Sequence, residues 1–551
     1  TETLLAAIVQ WGVAGALERV RGMFALALWD RERHELTLAR DRIGEKPLYY
    51  GWSKGTFLFA SELSAIEAFP GFDRTLSRQA LAELFRLAYV PAPLSIYENV
   101  YKLEPGAMLV IQREATTQPP QKAPTVGDSR AGFELRRWYS LPEVIQTARA
   151  SLITDESEAE SACLETLQSA CRRQMLSDVP LGAFLSGGID SSLVVALMQS
   201  QSDRPVNTFT IGFEAREHDE ARHAARVASH LGTHHTDLYL SEQDALDVVP
   251  KLAEIYSEPF ADSSQIPTRL VSELARQHVT VALTGDGGDE LFGGYNRYRW
   301  APPLWNRFAR VPRPLRGSVA RSLSAVSGSG SVSDLMGALA GVAQPAEKLA
   351  KLADRAQHAD SLEAFYRALV SVNPSAERFL KFQPEDCAVD WMAQLPALEP
   401  EQRMMFADAM SYLPDDILCK VDRAAMSVSL ETRVPFLDPD VVELSWRLPL
   451  TMKIHRGETK WMLRRLLERF LPRDLFERPK QGFAVPLAAW LRGPLRDWAG
   501  DLVASIPSSD PWLDKDAVAQ ALRTHDGGRV DRSQALWPVL MFLAWREARS
   551  P

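Results

Sequence analysis

Apolar positions fall into two regimes along the 551 residues. In residues 1–112 they come mostly in short runs broken by turn residues, after an opening stretch in which Leu4, Leu5, Ile8 and Val9 recur at helical spacing. Residues 23–29 form an unbroken apolar run that predicts a buried strand. Residues 35–39 alternate, and 47–51 and 56–60 read as two further strands, with Arg40-Asp41-Arg42-Ile43-Gly44 as a turn between them. Short strands in succession predict a sheet-rich unit. Residues 114–132 hold three prolines among small polar residues and predict a mobile surface loop.

From about residue 155 the period changes. Helical spacing through residue 173 leads to an apolar strand at 179–185, a Gly-rich turn and a helix over 191–200. A strand at 207–213 precedes a helix over 221–231, and a strand at 279–283 ends in a second Gly-rich turn. Strands alternating with helices predict a parallel sheet with crossover connections, an α/β unit. Residues 302–400 read as helical with a Ser/Gly-rich link at 322–333, and 402–551 as mostly helical. The apolar run 535–545 is 11 residues long and bracketed by Arg532 and Arg546. Spanning a bilayer takes roughly 20 residues, so this run predicts a buried C-terminal helix. The expected division is 1–150 and 151–551.

Composition narrows the function. With 46% hydrophobic and 24% charged residues, a largely disordered chain is excluded. A formal charge of −9 argues against nucleic acid as the partner. Arg307, Arg310, Arg313, Arg316 and Arg321 read as a solvated helix face. The four cysteines (Cys163, Cys171, Cys387, Cys419) form no CxxC pair, and the histidines show no HExxH spacing. That excludes a disulfide framework and a structural zinc, and it predicts a reducing compartment. No signal peptide is present, so the expected location is the cytoplasm. His234 and His235 adjoin a strand-like run, where neighbours point to opposite faces and cannot share a metal.

The chemistry concentrates in the two Gly-rich turns. Leu185-Ser186-Gly187-Gly188-Ile189-Asp190-Ser191-Ser192 lies between an apolar strand and an amphipathic helix. Glycines there let the backbone approach an anion, and free N–H groups at the helix start point at it. Asp190 would repel a bare phosphate, so its best role is to hold a divalent cation that bridges to phosphate oxygens. The second turn runs Thr284-Gly285-Asp286-Gly287-Gly288-Asp289-Glu290 and then Leu291-Phe292-Gly293-Gly294-Tyr295. In an open parallel sheet both turns meet at the carboxyl ends of strands, where ligands bind. Three acids there call for something cationic, and Asp190 with Asp289 predicts a Mg²⁺ site.

The first turn is no Walker A loop. It resembles the SGGxDS loop of the N-type ATP pyrophosphatases, which cut ATP between the α- and β-phosphates. Taken with Arg21-Gly22-Met23-Phe24-Ala25, the run from Arg40 through Gly44 to Tyr50, Ser61-Glu62, Lys420-Val421-Asp422-Arg423-Ala424-Ala425-Met426 and Glu431-Thr432-Arg433-Val434-Pro435-Phe436-Leu437-Asp438, the chain resembles glutamine-hydrolysing asparagine synthetase. The resemblance implies part of an α+β Ntn-type (class II) glutamine amidotransferase domain over 1–150. After it, over 151–551, comes an adenine nucleotide α-hydrolase-like synthetase domain with a helical C-terminal region. It further implies that Leu185, Ile211, Thr284 and Gly285 contact adenine and ribose, and that Ser186, Gly187, Gly188, Asp190, Ser191 and Ser192 hold the phosphates. Asp286 falls at the acid linked to β-aspartyl-adenylate formation, where many members carry Glu. Lys480, in Arg478-Pro479-Lys480-Gln481-Gly482-Phe483, falls at a lysine near the phosphates, and Lys460 is a second candidate there. A positioned cation suits the charge on leaving pyrophosphate.

The implied substrates are ATP with Mg²⁺, aspartate, and glutamine or ammonia, with no membrane or nucleic-acid partner and a homodimer as the candidate assembly. The family's glutaminase uses an N-terminal cysteine. Here residue 1 is Thr and every cysteine lies at 163 or beyond, so the expectation is a chain that starts inside that domain. The same loops occur in relatives that close β-lactam rings or lasso peptides or amidate sugar acids, so the acid activated stays open, as does a non-catalytic homologue.

Overall fold

The structure is a computed structural model that describes all residues except 118, 121, 214–219, 313–315, 317–354, 356–358, 386–388, 478–484, 529 and 550–551. The expected link at 322–333, together with Arg313, Arg321, Cys387 and the 478–483 segment with Lys480, therefore lies outside the described residues.

The N-terminal part is antiparallel. Strands β1 (Ala25–Asp30), β2 (Glu35–Arg40), β3 (Tyr49–Ser53), β4 (Thr56–Ala60), β5 (Val100–Lys102), β6 (Ala107–Gln112), β7 (Ser129–Arg130) and β8 (Phe133–Arg137) form two sheets, ordered β1-β2-β6-β8-β7 and β4-β3-β5. The turn after β2 is built by Asp41, whose Oδ1 accepts the Gly44 and Glu45 N–H groups at 2.7 and 2.9 Å and whose Oδ2 accepts that of Lys46 at 2.9 Å.

Three expectations change here. The apolar run at 23–29 gives β1, but as a sheet-edge strand that alternates exposed and half-buried, with Trp29 50% exposed. An apolar run reports hydrophobicity, not how many neighbours flank the strand. Likewise the opening pattern does give a helix, Glu2–Arg19, broken at Gly12 (φ 72°), yet its buried residues are Ala16 and Leu17, and Val9 stands 82% exposed. The Pro-rich stretch also carries more regular structure than a loop, with a 3₁₀ turn at Arg113–Thr117 and strand β7.

The second part is built on a parallel sheet of β9 (Leu181–Phe184), β10 (Asn207–Phe213), β11 (His234–Leu240), β12 (Val281–Leu283) and β13 (Glu431–Arg433), ordered β11-β10-β9-β12-β13. The chain steps outward from β9 to β11 and then returns to β12 on the other side of β9. That reversal opens a crevice between β9 and β12 at their carboxyl ends. Helices Glu156–Gln174, Ile189–Gln199 and Glu220–Leu231, near their expected limits, cover the sheet together with Gln265–Arg276. The C-terminal helix Ser533–Ala548 buries Leu536, Trp537, Leu540, Phe542 and Trp545, as its apolar run predicts. Among the described residues no helix is long and apolar enough to cross a membrane. The helix Leu141–Arg149, on the N-terminal side of the expected boundary, buries Leu141, Ile145 and Ala148 in the core under the parallel sheet.

Candidate active site

Each turn leaves the carboxyl end of a strand, so the reversal in strand order brings them face to face. Gly187, at φ 71°, lets the first chain bend back toward the helix Ile189–Gln199. The loop is laced by its own hydroxyls. Ser186 Oγ and Ser191 Oγ lie 2.9 Å apart, and Ser191 Oγ accepts the Ser186 N–H at 3.2 Å. The second turn nests against the first at distances only glycine allows. A Cβ on Gly285 would fall 2.7 Å from the Ser191 nitrogen, and one on Gly288 would fall 2.7 Å from the Asp190 carboxyl carbon.

Between these turns opens a cavity of about 710 Å³, lined by Leu185, Ser186, Gly188, Asp190, Ser191, Thr284, Gly285, Asp286, Asp289 and Lys460 among others. Gly187, Ser192 and Ile211 are not on its wall. Ser192 is fully buried on the inner side of its helix, and Ile211 packs in the core beside Phe209. Lys480 lies outside the described residues.

A cationic side chain stands between the two acids expected to hold Mg²⁺. The ammonium of Lys460 pairs with Asp190 and, at 2.8 Å, with Asp289 Oδ1. Lys460 arrives there from a hairpin, β14 (Ile454–His455) and β15 (Glu458–Thr459), whose turn holds Arg456 and Gly457 at positive φ. The two carboxylates hold its ammonium protonated, raising its pKa against the opposing effect of burial. Among the described residues no cluster of three or more His, Cys, Asp and Glu side chains is arranged to hold a metal by itself. Two carboxylates facing one positive group do fit a divalent cation whose remaining ligands are phosphate and water.

Burial raises the pKa of Asp286, with the Thr284 hydroxyl and the Lys420 and Lys460 charges acting the other way. Glu290, also on the wall, is pushed up to about 7 by burial and by the Asp289 charge, while the Tyr295 hydroxyl donates to it at 2.7 Å.

Several residues of the wall lie outside the individual site residues named from the sequence. Lys420 lines the cavity and donates to Asp262 Oδ2 at 2.6 Å and Ser264 Oγ at 2.8 Å. Its segment is readable as a motif, but the pairing spans 158 residues, and no spacing rule reaches so far. Glu290 and Tyr295, within the second turn's segment, and Arg299 just after it join the wall too. For Glu290, its place in the acidic turn is the available signal.

Residues 162–547 match the asparagine synthase family and residues 1–122 match the glutamine amidotransferase domain. Asparagine synthetase (glutamine-hydrolyzing) 1 of Bacillus subtilis is 31% identical over 99% of this chain and 80% of its own length. A Mycobacterium tuberculosis protein that carries the asparagine synthetase name provisionally is 35% identical over 99% of this chain and 79% of its own length. Amidase chry2 of Gibberella zeae is 24% identical over 91% of this chain and 75% of its own length.

Proposed function

The chain belongs to the asparagine synthase family, and on that premise we propose that it activates the side-chain carboxylate of aspartate with ATP and converts it to the amide. The observation that carries this reading is the meeting of Asp190, Asp289 and Lys460 between two Gly-rich turns at the point where the strand order reverses.

The β-carboxylate attacks the α-phosphorus, the bond between α- and β-phosphates breaks, and pyrophosphate leaves. Ammonia, drawn from glutamine or from solution, then attacks the acyl carbon of the β-aspartyl-adenylate, and AMP leaves with release of one proton. Neutral ammonia is already a nucleophile, so the step demands no strong base. The chain's part is to hold and orient. Backbone N–H groups of the first turn and the Ser186 and Ser191 hydroxyls face the phosphates. Lys460, with Lys480, supplies positive charge toward the departing pyrophosphate. Asp286 stands toward the acid being activated. Asp190 and Asp289 would hold a divalent cation, which would neutralise charge at the phosphates. An amidotransferase part over 1–150, a synthetase part over 151–551, a cytoplasmic setting and a homodimer complete the reading.

The test is aspartate-dependent exchange of pyrophosphate into ATP. Asp190→Ala and Lys480→Ala abolish it while the protein stays folded by circular dichroism. Wild-type exchange in either variant removes that residue from the site.

A further inference from the structure

Lys420 reaches the cavity from the helix Cys419–Met426, and its partner Asp262 meets it from the loop at 257–264. Both segments are held from behind by the N-terminal sheet unit. On the helix, Asp422 Oδ1 takes Lys46 Nζ at 2.5 Å. Arg423 donates to the Ser61 carbonyl at 2.6 Å and lies 3.0 Å from Glu62 Oε1. On the loop, Glu258 pairs with Lys102 and accepts the Ile96 N–H at 3.1 Å, and Ala261 donates its N–H to the Ala88 carbonyl at 2.8 Å. Asp422, Arg423, Lys102 and Glu258 are all buried. At 3.6 residues per turn, positions 420 and 422 lie roughly 200° apart, so the helix offers one face to the cavity and another to the sheet unit.

Lys46 is not a loose surface lysine. It follows the turn that the Asp41 carboxylate closes on the N–H groups of Gly44, Glu45 and Lys46 itself. Arg40 braces the same turn, donating to the carbonyls of Gly44, Lys46 and Leu103. The clamp is thus rigid on the sheet side as well as buried on the helix side.

We infer that Asp422 and Arg423 are positioning residues for the chemistry in the cavity, clamping the Lys420 helix to the N-terminal unit so that Lys420 stands against Asp262 and beside Asp286. The inference rests on the function proposed above. The nucleotide loops hang from β9 and β12, and among the described residues the clamp holds neither. Loosening it therefore alters the acid end of the cavity and spares ATP binding.

The experiment compares wild type, Asp422→Asn and the charge-reversed pair Lys46→Asp with Asp422→Lys, using ammonium chloride as nitrogen donor so that glutamine hydrolysis is bypassed. Asp422→Asn is expected to lower kcat/KM for aspartate between about 10- and 100-fold, the scale of a small displacement of a catalytic group, with the dissociation constant for ATP unchanged. The reversed pair regains most of the loss. Hydrogen exchange quickens at 257–264 and 419–426 in Asp422→Asn. Wild-type kcat/KM in Asp422→Asn, or unchanged exchange at both segments, overturns the inference. A wild type that releases no pyrophosphate with aspartate overturns the proposed function instead, and the exchange measurement still decides the clamp.

Discussion

Lys460 holds its backbone in the left-handed region, φ 53°, at the start of the helix Trp461–Leu467, and its ammonium lies between two carboxylates. Its side chain is only 7% exposed. Lys460→Met removes the ammonium from between Asp190 and Asp289, so in metal-free buffer the two carboxylates face each other unneutralised. Calorimetry should show a loss of stability below the about 3–5 kcal/mol of a fully enclosed pair, because the cavity admits water. Pyrophosphate exchange is lost with it. Lys453, seven residues earlier, behaves in the opposite way. It is fully buried, its ammonium has no hydrogen-bond partner among the described residues, and it lies 4.4 Å from the centre of the Trp446 ring. Burial, helped by Arg149 and opposed by Cys163 and Glu399, lowers its pKa to about 7. Between there and the ordinary lysine value near 10.5 the unfolded chain holds a proton that the native protein lacks. Stability from this site therefore rises with pH across that window, by at most about 1.4 kcal/mol per pH unit. Denaturant unfolding at pH 7 and pH 9.5 should show the difference between wild type and Lys453→Met moving toward wild type as pH rises. An unchanged difference contradicts the lowered pKa.

The elements that bear the site are short, and their fit rests on missing side chains. Gly288→Ala places a methyl 2.7 Å from both the Asp190 carboxyl carbon and its Oδ1, so Asp190 must turn away from Lys460. ATP affinity measured by isothermal titration should fall at least about tenfold, the scale of one lost charge-assisted contact, while far-UV circular dichroism is unchanged. These turns are legible in the sequence because everything that shapes them is local: glycine, a cap and an apolar strand in front. Strands β10 and β4 fall where the pattern puts them for the same reason. The edge position of β1 and the exposed face of the first helix are not legible, since the apolar pattern marks what prefers to be covered without saying what covers it. The pairing of Lys420 with Asp262 is hidden for a third reason. It depends on a helix and a loop from distant parts of the chain converging only after the sheet has formed.

At the scale of the whole molecule, the two predicted parts share their cores. Phe85 packs against Phe542 with ring centres 5.9 Å apart, and Tyr97 against Trp545 at 5.8 Å, so the last helix fills a core lined by residues from the first hundred. Trp537→Ala, which empties a site 1% exposed in that core, should cost about 3–5 kcal/mol and lower Tm in a single transition for both parts. Two separate transitions would instead show the parts folding independently. The broad order, antiparallel sheets followed by a parallel sheet and a helical end, is readable from the change of period near residue 155. The interleaving is not, because packing between distant segments leaves no local period. Which bond of ATP is broken is read from the products of turnover. The protein, incubated with Mg-ATP, aspartate and an ammonium salt and followed by phosphorus NMR, should form AMP and pyrophosphate in equal amounts and in step with asparagine. Formation of ADP and inorganic phosphate, or ATP left intact by a protein shown to bind it, would contradict the account.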